Sequence, residues 1–278
     1  MTGTKIPFYK MSGSGNDFIL VDNRKKLVEE RDISTWVFQV CRRRQAVGAD
    51  GLILIEPSEK ADFKWRFFNS DGGQVEMCGN GGRCAARLAH WLGIADAALT
   101  FETLAGVIRA EVKGRRVKLE MPQPSGMRTD YGIDVDGKQL LVSSIVVGVP
   151  HVVTWVEDIE QAPVFPVGRA VRYHEKYAPA GTNVNFVQCR DDGTLLIRTY
   201  ERGVEDETLA CGTGSVASAL LASVILKEKV NSPATLLTRG KELLNVHFER
   251  DTEAFSNVFL EGDTKMVYEG LLWEEAAE

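Results

Sequence analysis

Short apolar runs that end at Gly or Asp recur along the chain and predict a protein built largely of β-strands. Residues 18–21 and 52–55 are two such runs, and residues 64–68 form a third that leads into a Gly-rich turn. Residues 32–43 instead predict a helix. The pattern therefore predicts a mixed α/β (α+β) fold.

The same order of elements occurs twice along the chain. Residues 66–69 precede Cys78 at nearly the same separation as residues 198–201 precede Cys211. In each half a run of small residues suited to a helix follows the cysteine, and three predicted strands follow that helix. Residues 121–126 contain two prolines and a glycine, which break regular elements, and so predict a linker. We expect two similar halves with a cleft between them where the two cysteines meet.

The two cysteines have almost the same local sequence, with Gly directly after each and again two residues later, in Cys78–Gly81 and Cys211–Gly214. The free N–H groups and the dipole at a helix start favour a thiolate and also bind anions. One helix start can therefore hold a thiolate base beside a substrate carboxylate, and a dry cleft would keep the partner thiol protonated as the acid. Two such starts suit proton exchange at a carbon next to a carboxylate, whereas coincidental Gly-rich turns remain the alternative explanation.

Several other polar residues are candidates for the same site. Glu201 and Arg202 follow a predicted strand and could bind an ammonium and a carboxylate, or form a surface ion pair. His151 follows a proline at a strand start, where a histidine is either structural or functional. Four asparagines lie beside Gly or turns near the cysteine motifs, and each alone suits a turn residue: Asn16, Asn69, Asn80 and Asn183.

Composition narrows the class of protein. The 278 residues carry a net charge of -6, which argues against nucleic acid as the main partner, and the run 42–44 is interpreted as a solvated helix face. No apolar stretch is long enough for a membrane span and no signal-peptide pattern begins the chain, so we expect a cytoplasmic protein. The five cysteines include no CxxC pair, so we expect reduced thiols and no metal site. The chain also lacks a nucleotide-binding motif, so we expect no cofactor.

Taken together, six motifs make the chain resemble the diaminopimelate epimerase family over nearly its whole length. These motifs are residues 10–18, 48–51, 68–72, 78–83, 200–203 and 210–214. The resemblance implies epimerisation of LL- to meso-diaminopimelate in lysine and peptidoglycan precursor biosynthesis, with no cofactor, in a homodimer. It also implies two pseudo-symmetric domains, each a β-barrel-like sheet around a central helix.

Because the resemblance implies that the last strand returns to the first domain, the domains are predicted as residues 1–122 plus about 264–278, and residues 123–263. It makes Cys78 and Cys211 the two acid/base residues, supported by His151 and Glu201. The implied substrate-binding residues are Asn16, Asn69, Gly79, Asn80, Asn183, Glu201, Arg202, Gly212 and Thr213. Tyr268 matches the tyrosine of the family's dimer contact.

Two positions depart from the family pattern. Many members have Asn where this chain has Val149, and some have Gln where it has Gly51. Both positions concern the non-reacting end of the substrate, so a related racemase or isomerase of another amino acid remains an alternative. A redox protein with a reversible Cys78–Cys211 disulfide and a non-catalytic binding protein are alternatives from other classes.

Overall fold

The computed structural model describes residues 5–28, 30–251 and 254–277. The chain forms two compact units, one of residues 1–119 and 262–278 and the other of residues 120–261. Positions 1–4 and 278 of the predicted first domain lie outside the described residues. The domain ranges 1–122 plus 264–278 and 123–263 stay a prediction.

Most elements of both units are β-strands. Those of the first half of the chain are β1 (Ile6–Gly13), β2 (Asn16–Asp22), β3 (Gly51–Glu56), β4 (Phe63–Asn69), β5 (Gln74–Val75), β6 (Ala98–Thr103), β7 (Gly106–Lys113) and β8 (Arg116–Glu120). The remainder are β9 (Ser125–Val135), β10 (Lys138–Val147), β11 (Val149–Trp155), β12 (Asn183–Cys189), β13 (Leu195–Glu201), β14 (Asp206–Thr208), β15 (Ala234–Leu237), β16 (Leu243–Arg250) and β17 (Phe255–Leu272). The helices are α1 (Ile33–Cys41), α2 (Gly79–Trp91), α3 (Val164–Arg172) and α4 (Gly212–Ile225).

Eight strands of the first unit close into a barrel. The pairing runs from β1 through β2, β3, β4, β6, β7 and β8 to the C-terminal part of β17, which pairs with β1 again. The β2–β3 and β4–β6 pairs are parallel. A parallel pair needs a crossover connection, and residues between β4 and β6 supply it as α2.

Helix α2 lies inside this barrel because small residues let it approach the strands closely. Cys84, Ala85 and Ala86 are fully buried. A Cβ on Gly81 would lie 3.1 Å from Ile53 Cδ1, and one on Gly82 would lie 3.1 Å from a Leu119 methyl group. Larger residues would overpack this interior. The expected barrel-like sheet around a central helix is therefore confirmed for this unit.

The second unit repeats the arrangement. Its pairing runs from β9 through β10, β11, β12, β13, β15 and β16 to the N-terminal part of β17. Helix α4 packs against this sheet, and Val216, Leu220 and Leu221 are fully buried in the core. The expected mixed α/β fold with two similar halves is confirmed.

Some predicted element boundaries were wrong. The last of the strands expected after the second cysteine helix is the 18-residue β17. Its first part belongs to the second unit and its last part pairs with β1. Helix α1 ends at Cys41, so Arg43 does not lie on a solvated helix face. Its guanidinium instead binds the carboxylates of Asp17 and Asp50.

Candidate active site

Both cysteines of the repeated motif cap the start of the helix inside their own unit. Cys78 and Cys211 have extended backbones and directly precede the first helical residue. The first helical bonds run from Gly82 N–H to Cys78 O (2.8 Å) and from Ser215 N–H to Cys211 O (2.9 Å). The N–H groups of the intervening residues have no carbonyl within the helix to bind. Each thiol is thus next to amides that can bind an anion, as the sequence pattern predicts.

Close packing at the start of α4 requires glycine. A Cβ on Gly214 would overlap Asn185 Oδ1 and lie 3.2 Å from Cys211 Sγ. Asn185 is fully buried on β12, and its Oδ1 accepts a hydrogen bond from Thr199 Oγ1 at 2.9 Å. The glycine therefore lets a buried polar side chain reach the helix start beside the thiol.

Burial outweighs the helix effect on Cys211. Desolvation and then the nearby charge of Glu201 raise the pKa of the Cys211 thiol to about 12, while hydrogen bonds from Gly214 and Thr213 lower it by less. The helix start therefore does not lower the pKa of the Cys211 thiol below that of a free cysteine. At neutral pH this thiol keeps its proton.

Glu201 lies at the end of β13 within electrostatic range of Cys211. Burial raises the pKa of its carboxyl, while the Thr208 hydroxyl, which donates to Glu201 Oε2 at 2.8 Å, lowers it. A buried carboxyl with a raised pKa binds a proton more readily than one in water. Glu201 is therefore placed to exchange a proton with its surroundings near the thiol.

His151 is neutral and has a defined tautomer. Burial and then the charge of Arg202 lower its pKa to about 3. Asn185 Nδ2 donates to Val152 O at 3.0 Å and also faces His151 Nδ1 at 3.3 Å. Because Nδ1 must accept this bond, Nε2 carries the proton, and in the described part of the chain Nε2 has no hydrogen-bond partner.

Asn183 and Arg202 are also brought together in the second unit. Asn183 Oδ1 accepts a hydrogen bond from Arg202 N at 2.8 Å, and Arg202 Nη1 donates to Ala180 O at 3.1 Å. The side chain of Asn183 is almost wholly buried and that of Arg202 is half-buried. These two hydrogen bonds fix the turn after β13 and hold the Arg202 guanidinium beside the Ala180 carbonyl.

In the first unit the structure joins two of the predicted asparagines. Asn80 Nδ2 donates to Asn16 Oδ1 at 2.7 Å, which links the start of β2 to the first turn of α2. Asn69 lies at the exposed end of β4, with its Cα opposite that of Gly51. Tyr268 is half exposed on β17 and makes an edge contact with Phe8, 5.9 Å between ring centroids.

Sequence reasoning missed polar residues that hold the predicted ones in place. Asn185 lies two residues after Asn183 in β12 and therefore on the same face of the strand, a signal that the period of two could have given. Asp50 accepts a hydrogen bond from Asn16 Nδ2, and Thr208 binds Glu201. Asp50 directly precedes β3 and its partner lies on β2, and Thr208 and Glu201 lie on different strands, so no local pattern marks these contacts.

Across residues 5–28, 30–251 and 254–277, no group of His, Cys, Asp and Glu side chains is arranged to hold a metal ion. Among the same residues, no helix is long and apolar enough to cross a membrane.

Comparison with known proteins supports one family. The sequence model described as diaminopimelate epimerase matches residues 8–125 and 143–267. The diaminopimelate epimerase of Aquifex aeolicus is 48% identical over 98% of this chain and 100% of its own length. That of Hydrogenobaculum is 43% identical over 95% of this chain and 97% of its own length.

Solved structures show the fold alone. A phenazine biosynthesis protein from Bacillus anthracis matches with a TM-score of 0.74 at 17% identity, over 97% of this chain and 99% of its own. A methylitaconate-delta-isomerase matches with a TM-score of 0.70 at 14% identity, over 98% and 96% of the two chains.

Proposed function

The chain belongs to the diaminopimelate epimerase family, and from this premise we propose how its own residues carry out the reaction. The activity is an isomerisation, the conversion of LL- to meso-diaminopimelate in lysine and peptidoglycan precursor biosynthesis. The carrying observation is the matched pair of cysteines, each at the start of a helix buried in its own unit.

Cys78 and Cys211 are the acid/base pair. One sulfur, as thiolate, removes the α-proton of the substrate, and the other, as thiol, donates a proton to the opposite face of the same carbon. The configuration inverts because one proton leaves from one face of the carbon and another is added to the opposite face. The exchange consumes no redox equivalent, and we propose that it needs no cofactor.

The helix starts supply the stabilisation that this reaction requires. An α-proton beside a carboxylate is weakly acidic, so negative charge that develops on the carboxylate must be stabilised. The amides of Gly79 and Asn80, and of Gly212 and Thr213, lie in the first turns of α2 and α4. Their fixed orientation binds the reacting carboxylate without reorganisation during the reaction.

Glu201 and His151 control the proton of Cys211. The thiol begins protonated, and the carboxyl of Glu201, with its raised pKa, accepts that proton when the thiolate is needed. His151 stays neutral and offers its Nε2–H as a donor. These roles need no charged histidine at neutral pH.

The far end of the substrate is bound by Asn69, Asn183 and Arg202. Diaminopimelate carries a second ammonium and carboxylate, which suit amide oxygens and a guanidinium. Gly51 cannot be replaced by a larger residue here, because a Cβ would lie 2.6 Å from the Phe67 ring and from Phe68 O. This chain therefore has no side chain in place of the glutamine that some members have at this position. Asn69, opposite Gly51 on the paired strand, makes the contact with the far end of the substrate instead.

The assembly is proposed as a homodimer in the cytoplasm, with Tyr268 in the subunit contact. Its half-exposed ring contacts Phe8, and the same stretch of β17 carries two further exposed apolar side chains, Val267 and Leu271. A homodimer needs the same surface on both copies, and exposed apolar side chains suit self-association.

A direct assay tests the proposed function. We expect the purified, reduced protein to convert LL-diaminopimelate to the meso form without added cofactor, as measured by chiral chromatography. Cys78→Ala and Cys211→Ala should each abolish conversion while circular dichroism shows an intact fold. Turnover of proline in place of diaminopimelate would favour the sister racemases, and full turnover by either cysteine variant would exclude the thiol pair.

A further inference from the structure

A line of hydrogen bonds joins the surface of the first unit to the first turn of α2. Asp50 Oδ1 accepts from Arg43 Nη2 and Asp50 Oδ2 from Asn16 Nδ2, both at 2.9 Å. Asn16 Oδ1 then accepts from Asn80 Nδ2 at 2.7 Å. Asn80 Oδ1 accepts from Arg83 Nη2, also at 2.7 Å.

The two ends of this line determine the direction of every bond within it. A carboxylate only accepts hydrogen bonds and a guanidinium only donates them, whereas an amide side chain can face either way. Because Asp50 accepts, Asn16 must present its NH₂ group to Asp50 and its oxygen to Asn80. Because Arg83 donates, Asn80 must present its oxygen to Arg83, which gives the same direction.

Asp50 is itself held firmly. Its Oδ2 accepts a second bond from the backbone N–H of Asp17 at 3.2 Å. The carboxylate of Asp17 binds Arg43 and also the buried ammonium of Lys10, at 2.6 Å for the latter. Lys10 donates to Gly48 O as well, so the whole group is tied to the backbone before Asp50.

We propose that Asp50 is a positioning residue for the epimerisation: it fixes the amide of Asn16 and, through it, the side chain of Asn80 beside Cys78. This inference rests on the proposed role of the Asn80 backbone N–H in holding the reacting carboxylate, because the side-chain hydrogen bonds fix the place of Asn80 in the first turn of α2. Arg43 steadies Asp50 from the solvent side, since its side chain remains 58% exposed. The essential property of Asp50 is its acceptor oxygen toward Asn16.

Substitutions at Asp50 separate the acceptor from the charge. Asp50→Leu removes both, whereas Asp50→Asn keeps an oxygen that can face Asn16. Arg43→Met removes the ion pairs with Asp50 and Asp17 and leaves the acceptor oxygen in place. The half-buried Asn16 amide, left without its acceptor, should reduce kcat/KM by at least about tenfold in Asp50→Leu. We expect Asp50→Asn and Arg43→Met to stay within about threefold of the wild type, as is usual for a mostly exposed ion pair.

The loss of activity in Asp50→Leu should appear mainly in kcat, because the reacting carboxylate of the substrate gains negative charge as the reaction proceeds. Asp22→Leu is the matched control. Asp22 lies on β2, the strand of Asn16, and binds Arg24 through two hydrogen bonds of 2.9 and 2.8 Å. Its loss removes a similar ion pair and should leave kcat/KM within about twofold, as a surface pair would.

A second readout does not depend on turnover. In ¹⁵N NMR spectra, the side-chain amide signals of Asn16 and Asn80 should move in Asp50→Leu and stay in place in Asp50→Asn and Asp22→Leu. Unmoved amides together with kcat/KM near the wild-type value in Asp50→Leu would overturn the proposal, and so would Arg43→Met being as damaging as Asp50→Leu. If the wild type does not epimerise diaminopimelate but the Asn16 and Asn80 signals still move in Asp50→Leu, the positioning role is supported and the proposed function is rejected.

Discussion

His151 shows how burial sets the chemistry of a single side chain. The ring is 1% exposed, and burial with the charge of Arg202 lowers its pKa to about 3. In the unfolded chain the pKa is near 6.5, so between the two values the unfolded state binds the extra proton. The stability that the neutral ring contributes is therefore present above about pH 6.5 and is lost as pH falls toward 3.

This gives a prediction for His151→Gln. Below pH 6.5 the wild type should lose about 1.4 kcal/mol of unfolding free energy per pH unit relative to the variant, which has no group to titrate. Urea unfolding at pH 7.5 and pH 5 should show the advantage of the wild type shrinking by about 2 kcal/mol. An advantage that stays constant over this range would show that the histidine is not held neutral.

Residues could be predicted from sequence where chemistry and local pattern coincide. The thiols were found because Gly follows each of them at the start of a small-residue helix, and the described structure places both at helix starts. The raised pKa of the Cys211 thiol could not be predicted, because it is set by burial in the folded second unit. Asp50 and Asn185 were missed because their partners lie on other strands.

At the scale of elements, helices α2 and α4 have glycines in the first turn. A Cβ on Gly214 would overlap Asn185 Oδ1, whereas one on Gly79 would meet only Arg83 Nη1 at 3.9 Å. Both glycines lie in the first turn of their helix. The fit between helix start and sheet is therefore tighter at one glycine than at the other.

Gly214→Ala should consequently destabilise the protein by about 1–3 kcal/mol, the usual cost of overpacking a core. It should also lower kcat/KM, because the Asn185 amide beside Cys211 must move. Gly79→Ala is the control for stability and should unfold at a similar urea concentration to the wild type or a higher one. Equal midpoints for the two variants would contradict the close approach of Asn185 to α4.

Predicted and observed elements differ where apolar spacing is absent. Strand β9 has mostly exposed polar residues in its first half, so no apolar run marked it. Helix α3 contains a proline and a glycine and was not predicted. Gly168 nevertheless allows it to pack onto Tyr200, because a Cβ on Gly168 would lie only 2.5 Å from the Tyr200 Cβ. Strand β17 contains Gly and charged residues, which hid its length.

At the scale of the whole molecule, the proposed dimer predicts a specific effect of Tyr268. A charge in the centre of an apolar subunit contact must be buried without a partner, which prevents association. Tyr268→Glu should therefore have the 30.7 kDa mass of one chain by light scattering, while the wild type has twice that mass. Tyr173→Glu, at an exposed tyrosine of the second unit, should remain dimeric.

A monomeric wild type, or a Tyr268→Glu protein that still has the doubled mass, would contradict this assignment. Neither result would bear on the family, which rests on 48% identity over nearly the whole chain. The repeat of strands, cysteine helix and strands could be recognised from sequence because both halves keep the same order.

The two-base reaction is tested most directly by following the source of the incoming proton. Reduced protein in D₂O is mixed with protiated LL-diaminopimelate, and both isomers are analysed by NMR and mass spectrometry at low conversion. The account predicts that the meso product carries deuterium at the inverted carbon while unreacted LL substrate keeps its protium. Meso product that retains the original proton would show that a single base returns it, and would contradict the paired roles of Cys78 and Cys211.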